Sequence, residues 1–284
     1  MALPTKRKFF GKFFAAVMKN EKLADAYCKR FRIVYSRKTF EEIWLQFISK
    51  LSNYGGYDML RKLIEYVEIR QEEDVLDIGP EMGMECFLLA ELYNKVLVAE
   101  PDAVTSHLLK GIAKYYYTED GRRASDVLDI QRMGIIPPNS NRWKIGASGP
   151  SGLVSFDAQG APDIGDVFGQ NFADRILCNH IGWLIPAEPR LLVLLKALSS
   201  YCSLKGTITW CDEVCELSEI VVDYMKYQKL PIDMKARYYK YHAFVSECSL
   251  KDIRKCVEEL LVDFNVNFRY FYKTGQMITM AIHC

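Results

Sequence analysis

Residues 75–83 read Val-Leu-Asp-Ile-Gly-Pro-Glu-Met-Gly, and residues 96–100 read Val-Leu-Val-Ala-Glu. Each stretch contains a short apolar run of the kind that forms a buried strand, and the segment between them has room for one helix. Gly79 and Gly83 allow the backbone to turn tightly and to approach a ligand. The stretch therefore predicts a strand, a glycine turn, a helix and a second strand, in an arrangement that suits a nucleoside ligand.

An acidic residue follows the second predicted strand. Glu100 lies 23 positions after Asp77, which is close to the roughly 20-residue spacing expected for one βαβ step. A carboxylate at this point can accept hydrogen bonds from both hydroxyls of a ribose. The intervening helix would aim its positive N-terminus at the same place. Glu100 is therefore a candidate ribose ligand.

These residues resemble motif I, and the acid that follows it, of the class I S-adenosylmethionine-dependent methyltransferases. The family pattern is an acid, one residue and three alternating glycines, and Asp77, Gly79 and Gly83 match it. Glu81 stands at the middle glycine position and departs from the pattern. Its carboxylate either meets the amino group of the ligand's methionine end or crowds the site. The resemblance implies S-adenosylmethionine as the cofactor, with Asp77, Gly79, Glu81, Gly83 and Glu100 as its contacts.

The resemblance extends, with gaps, from about residue 70 to the C-terminus. It implies an α/β fold with a Rossmann-like, mostly parallel seven-stranded sheet and a C-terminal antiparallel hairpin, over residues 71–284. Residues 264–272 and 276–282 flank Lys273-Thr274-Gly275, and this pattern independently predicts the closing hairpin.

Two further strands are expected to carry site residues. Residues 153–156 are expected to form the third strand, which ends at Asp157, where the family commonly places an acid beside the adenine. An ordinary turn aspartate is the alternative for that position. Residues 173–178 are expected to form the fourth strand, and Asn179 and His180 follow it at the sheet edge where ligands bind. Asp157 and Asn179 are therefore candidate cofactor contacts.

His180 is the candidate catalytic residue. It is one of four histidines in the chain, and a histidine pKa of roughly 6.5 suits proton removal near neutral pH. The alternative is a loop histidine held by packing or by a backbone hydrogen bond. Methyl transfer needs chiefly alignment and exclusion of water, and a base is needed only when the nucleophile carries a proton that must leave.

Residues 1–70 are expected to form a helical N-terminal extension. One half of the first helical wheel is apolar and the other half carries lysines; the apolar half comprises Phe9, Phe10, Phe13, Phe14, Val17 and Met18. Further helices are expected over residues 39–51 and 58–69. Three interpretations stay open: packing on the catalytic domain or on a second subunit in a homo-oligomer, a lid over the substrate, or contact with a membrane surface or nucleic acid.

Residues 118–150 are rich in turn formers, with Pro137-Pro138-Asn139-Ser140-Asn141 at their centre. They are expected to form an insertion over the ligand edge of the sheet. Long loops in compact domains are often functional. A purely structural excursion is the alternative.

The charge distribution bears on the substrate. The net charge is +1, which gives no overall field for nucleic acid, but residues 1–38 hold eleven basic and two acidic residues. A small-molecule acceptor is the leading hypothesis. An RNA or protein substrate held by the basic N-terminus is the first alternative, and a non-methylating nucleoside-binding relative is the second.

Composition also bears on the cellular compartment of the protein. No apolar run approaches the roughly 18 residues of a transmembrane segment, and no signal peptide is expected. The nine cysteines are scattered, which indicates a reduced, cytoplasmic protein. Cys211 and Cys215 have helical spacing but lack two further ligands, so no metal site is expected.

Overall fold

The computed structural model describes residues 3–31, 33, 39–51, 57, 70–135, 144–145, 156–157, 160–179, 197–213, 267–274 and 277–283. The chain folds as two compact units. The first comprises Met1–Gly134 and Gly160–Pro162, and the second comprises Ile135–Gln159 and Asp163–Cys284.

In its described part, the first unit combines helices with a parallel sheet. Its helices are α1 (Lys6–Met18), α2 (Glu21–Arg30), α3 (Phe40–Leu51), α4 (Met84–Ala90), α5 (Ala103–Ala113) and α6 (Ala124–Val127). Its strands are β1 (Val75–Ile78), β2 (Val96–Ala99) and β3 (Leu128–Gln131). Strand β2 lies between β1 and β3 and pairs with both in parallel, with Val75 opposite Val96 and Val96 opposite Leu128. Strands β1 and β2 are buried along their whole length, as expected when helices cover both faces of a parallel sheet. The α/β class with a parallel sheet is therefore confirmed.

The third strand of this sheet is not the one that the sequence predicts. It is β3, which lies inside the segment 118–150 that was expected to form an insertion. Of the residues 153–156 that were expected to form the third strand, only Phe156 is described. The residues described there, Phe156–Asp157 (β5), pair antiparallel with Lys144–Ile145 (β4) in a separate two-stranded sheet. Strand β3 has only two buried residues, whereas β1 and β2 are buried along their whole length, so it gives a weaker apolar signal among its turn-forming neighbours.

The second unit contains β4, β5, helix α7 (Ile164–Phe168) and four longer strands. These are β6 (Ala173–Asn179), β7 (Cys202–Glu213), β8 (Asn267–Thr274) and β9 (Met277–His283). Strand β6 pairs with β7 in parallel, β7 pairs with β9 antiparallel, and β9 pairs with β8 antiparallel. The residues that join β8 to β9 lie outside the described ranges, so the seven-stranded sheet with its closing hairpin stays a prediction.

Helix α1 buries its aromatic face within the first unit. It begins after Thr5, whose side chain accepts a hydrogen bond from the backbone N–H of Lys8. Phe9 and Phe13 are fully buried, and the ring of Phe13 lies 4.9 Å from the ring of Phe87 on α4. This packing supports the first of the three interpretations of the extension. A homo-oligomer through these helices stays a prediction.

Helix α2 is an element that was not expected from the sequence. It begins after Asn20, whose side chain accepts from the backbone N–H of Leu23 at 3.1 Å. Its sequence is mostly polar, but its buried residues Ala24, Tyr27 and Cys28 recur at helical spacing, so the helix could have been predicted from this pattern. The helix expected over 58–69 falls outside the residues described. None of the helices in the described ranges is long and apolar enough to cross a membrane.

Candidate nucleoside-binding site

The loop between β1 and α4 is closed by its own backbone and tied to β2. The N–H of Gly79 donates to the carbonyl of Ala99 at 2.9 Å, and the N–H of Gly83 donates to the carbonyl of Pro80 at 2.8 Å. The backbone φ angles of Gly79, Glu81 and Gly83 are 67°, 48° and 92°. All three alternating positions of the motif are thus left-handed, a conformation that glycine adopts without steric cost.

Gly83 is required for space as well as for its backbone angle. A Cβ atom added there would lie 2.5 Å from Cδ2 of Leu109 on α5. It would also lie 3.3 Å from the ring of Phe87. A side chain at this position would therefore require Leu109 to move and would crowd the Phe87 ring.

Glu81 adopts the left-handed conformation although it carries a side chain. This conformation costs an L-residue about 1–2 kcal/mol. The side chain of Glu81 is exposed, so burial of that side chain does not offset the cost. A strained residue of this kind persists only where its surroundings fix it, and such residues gather at functional sites.

Asp77 is a buried acid at the centre of β1. Its side chain is 0% exposed, and neither carboxyl oxygen has a hydrogen-bond partner in the described part of the structure. Burial raises the pKa of Asp77 well above its usual value, and the nearby charges of Glu85 and Glu100 raise it further. An unpartnered buried carboxyl is costly, and its persistence needs an explanation.

Glu100 lies directly after β2, where its N–H donates to the carbonyl of Gln131 at 3.0 Å. The side chain is 2% exposed, and its Oε1 accepts from the backbone N–H of Asp102 at 2.9 Å. Burial is the main cause that raises the pKa of Glu100 to about 8; the Asp102 N–H lowers it, and the charges of Asp102 and Glu81 raise it again. Burial therefore favours the neutral form of the Glu100 carboxyl group.

Three residues of the site were missed by the sequence pattern. Glu85 is buried in the first turn of α4 and acts electrostatically on Asp77. Tyr27 and Arg30 on α2 contact the glycine loop and the turn after Glu100. No local spacing links α2 to the motif, because these contacts join segments far apart in sequence.

The remaining candidates are placed only in part. Asp157 lies on β5, which is antiparallel to β4, opposite Lys144; its contact with the adenine stays a prediction. Asn179 is the last residue of β6 and pairs with Cys211 of β7. His180 lies outside the described residues. Among the residues that are described, no group of three or more His, Cys, Asp or Glu side chains is arranged to hold a metal ion.

No protein-family model matches the chain, and no curated protein is significantly similar in sequence. Solved structures do share its fold. The plantazolicin methyltransferase BpumL, in complex with a pentazolic desmethylPZN analog and SAH, is 10% identical with a TM-score of 0.52, over 93% of this chain and 98% of that one. The methyltransferase domain of bacterial CtHen1-CN is 11% identical with a TM-score of 0.50, over 80% of this chain and 97% of that one.

The chain thus has the Rossmann-like fold found in S-adenosylmethionine-dependent methyltransferases, as the motif resemblance implies. At identities of 10% and 11%, the likeness concerns the fold. What this chain binds must therefore be argued from its own site.

Proposed function

We propose that this protein is an S-adenosylmethionine-dependent methyltransferase. The observation that carries the proposal is the pair of buried acids on adjacent parallel strands. Asp77 lies within β1 opposite Val98 of β2, and Glu100 comes just after β2. None of the described groups donates a hydrogen bond to Asp77. A ligand that carries amino and hydroxyl donors fits these carboxyl groups.

The proposed cofactor contacts follow from the motif. Glu100 would accept hydrogen bonds from the ribose hydroxyls, a role that an acid after the second strand suits. Asp77, Gly79, Glu81 and Gly83 would surround the methionine end. Bound S-adenosylmethionine would supply an activated methyl group. The complex of BpumL with SAH supports this assignment by analogy of fold.

A small molecule is the proposed methyl acceptor. Three cations of the basic N-terminus form ion pairs inside the first unit, which reduces the charge available to a polymer. Lys12 lies 2.7 Å from Glu91, and Arg30 lies 2.9 Å from Asp102. Lys8 pairs with Glu119. Nucleic-acid binding depends on exposed cations that displace counterions, so the RNA alternative is less favoured.

His180 is the proposed base for an acceptor that carries a proton, and Asn179 a proposed cofactor neighbour. Both positions come at or after the end of β6, an edge where ligands bind in open α/β sheets. The chemistry proposed for them is limited to proton removal and orientation.

Calorimetry with S-adenosylmethionine and S-adenosylhomocysteine tests the cofactor assignment. The Glu100→Ala substitution removes an acceptor for two hydrogen bonds worth about 1.5–3 kcal/mol each. Affinity should therefore fall at least tenfold, whereas the exposed Glu72→Ala control should bind normally. Absence of binding to the native protein, or normal binding by folded Glu100→Ala, would contradict the proposal.

Transfer of a radiolabelled methyl group tests the acceptor class. Label should appear in the low-molecular-weight fraction of a cell extract and not in RNA or protein. Label in RNA that is lost at high salt, and lost when the exposed Lys19, Lys22 and Lys29 are changed together to Gln, would support the polymer alternative instead. Cofactor binding without transfer to any fraction would favour the non-methylating relative.

A further inference from the structure

Helix α2 contacts the glycine loop through Tyr27. The Tyr27 hydroxyl donates to the backbone carbonyl of Met82 at 2.8 Å. Met82 lies between the two left-handed residues Glu81 and Gly83. A hydrogen bond to this carbonyl fixes the orientation of the peptide that leads into α4.

The ring of Tyr27 is held firmly, so its hydroxyl has a defined position. The side chain is fully buried. Its ring centroid lies 4.7 Å from that of Phe31 and 6.2 Å from that of Phe13 on α1. Burial raises the pKa of Tyr27 well above its usual value, so the hydroxyl stays protonated and can donate.

The same helix contacts the turn after Glu100 through Arg30. The guanidinium Nη2 lies 2.9 Å from Oδ1 of Asp102, and Nε lies 3.3 Å from the Thr105 hydroxyl. Asp102 also caps α5, because its side chain accepts from the backbone N–H of Thr105 at 2.7 Å. The backbone N–H of Asp102 in turn donates to the Glu100 carboxyl group.

We propose that α2 is the positioning element of the cofactor site, with Tyr27 holding the glycine loop and Arg30 holding the turn that orients Glu100. The inference rests on the proposed function for its ligand. Tyr27 and Arg30 act through Met82 and Asp102, and so they are positioning residues rather than ligands. Two segments that are distant in sequence are thereby held in register by one helix.

Arg30 also has an electrostatic consequence. Glu100 is faced by the charges of Asp102 and Glu81, and it acts in turn on the buried Asp77 and Cys86. Without the guanidinium, the charge of Asp102 beside Glu100 would be unbalanced. Ionisation of Glu100 would then require a higher pH. Since ribose binding favours an ionised acceptor, the pH at which affinity is half-maximal should rise.

The first test needs no cofactor. Hydrogen exchange of the backbone amides in loop 79–83 is measured in native protein and in Tyr27→Phe, which keeps the buried ring. Exchange in the loop should accelerate at least threefold. The matched control is Tyr116→Phe, which removes another buried hydroxyl, one that donates to Glu91. Equal amide exchange rates of the loop in native protein and in Tyr27→Phe would overturn the role of Tyr27.

The second test follows S-adenosylhomocysteine affinity between pH 6 and pH 9. Arg30→Gln should move the half-maximal pH upward by about half to one unit. Arg30→Lys keeps the positive charge, so its half-maximal pH should stay close to that of the native protein. Lys29→Gln, an exposed neighbour with the same charge change, should leave the profile in place. An unshifted profile for Arg30→Gln would overturn the role of Arg30. If the native protein binds no cofactor, the proposed function fails, while loop exchange still decides whether α2 holds the loop.

Discussion

Replacement of Glu100 by Gln should remove a pH-dependent cost from the ligand-free protein. The pKa of Glu100 rises from 4.5 to about 8 on folding. Between these values the unfolded chain releases the proton first, so the folded state loses stability as the pH increases. The loss is about 1.4 kcal/mol per pH unit for one group. From pH 5.5 to pH 7.5, Glu100 should thus cost roughly 2–3 kcal/mol, and glutamine has no such titration.

Urea unfolding at these two pH values provides the measurement. Native protein should lose more stability than Glu100→Gln as the pH rises, while the exposed Glu72→Gln control should behave as the native protein does. The comparison is between the slopes of the free energy of unfolding against pH. Any pH-independent effect of the amide on stability therefore cancels. Most of the contribution of Asp77 cancels as well, because Asp77 is present in both proteins. Equal slopes for native protein and Glu100→Gln would refute the argument. The same substitution should weaken S-adenosylmethionine binding, because the amide is uncharged.

Three further substitutions address the loop and the catalytic candidate. Glu81→Gly should raise the free energy of unfolding by up to about 1 kcal/mol, because relief of the left-handed strain exceeds the entropy cost of glycine; a loss in urea unfolding would contradict this. Gly83→Ala should cost about 1–3 kcal/mol more than Gly121→Ala, since both positions have positive φ but only Gly83 has a close neighbour; equal costs would refute the steric argument. His180→Ala should lower turnover about 10²–10⁴-fold with little change in cofactor affinity; near-normal turnover would show that alignment alone suffices.

The motif could be predicted from sequence because its requirements are local. Positive φ at Gly79 and Gly83 is encoded by the residue type at each position, and the acid after β2 follows a regular βαβ spacing. Strands β1 and β2 are short and wholly apolar apart from Asp77. The sequence therefore locates this part of the site closely.

The rest of the site depends on contacts that no local pattern encodes. Tyr27 and Met82 are 55 positions apart, so no local spacing relates α2 to the glycine loop. Strand β3 has only four residues, and two of them, Leu128 and Ile130, face inward. Its strand character comes from pairing with β2 rather than from its own composition, as is common for β structure.

A comparison of two buried acids in the first unit strengthens the assignment of Asp77 to ligand binding. Glu91 is 3% exposed, and it accepts from Lys12 at 2.7 Å, from the Tyr116 hydroxyl at 2.5 Å and from the backbone N–H of Glu119 at 2.7 Å. This satisfied network stabilises the contact between α1 and the C-terminal end of α4. Asp77 is buried more completely but lacks hydrogen-bond partners in the described structure. The described part of the fold thus satisfies a buried carboxylate where it serves packing, whereas none of the described groups donates to the carboxyl group beside the glycine loop, which supports the proposal that Asp77 accepts from a ligand.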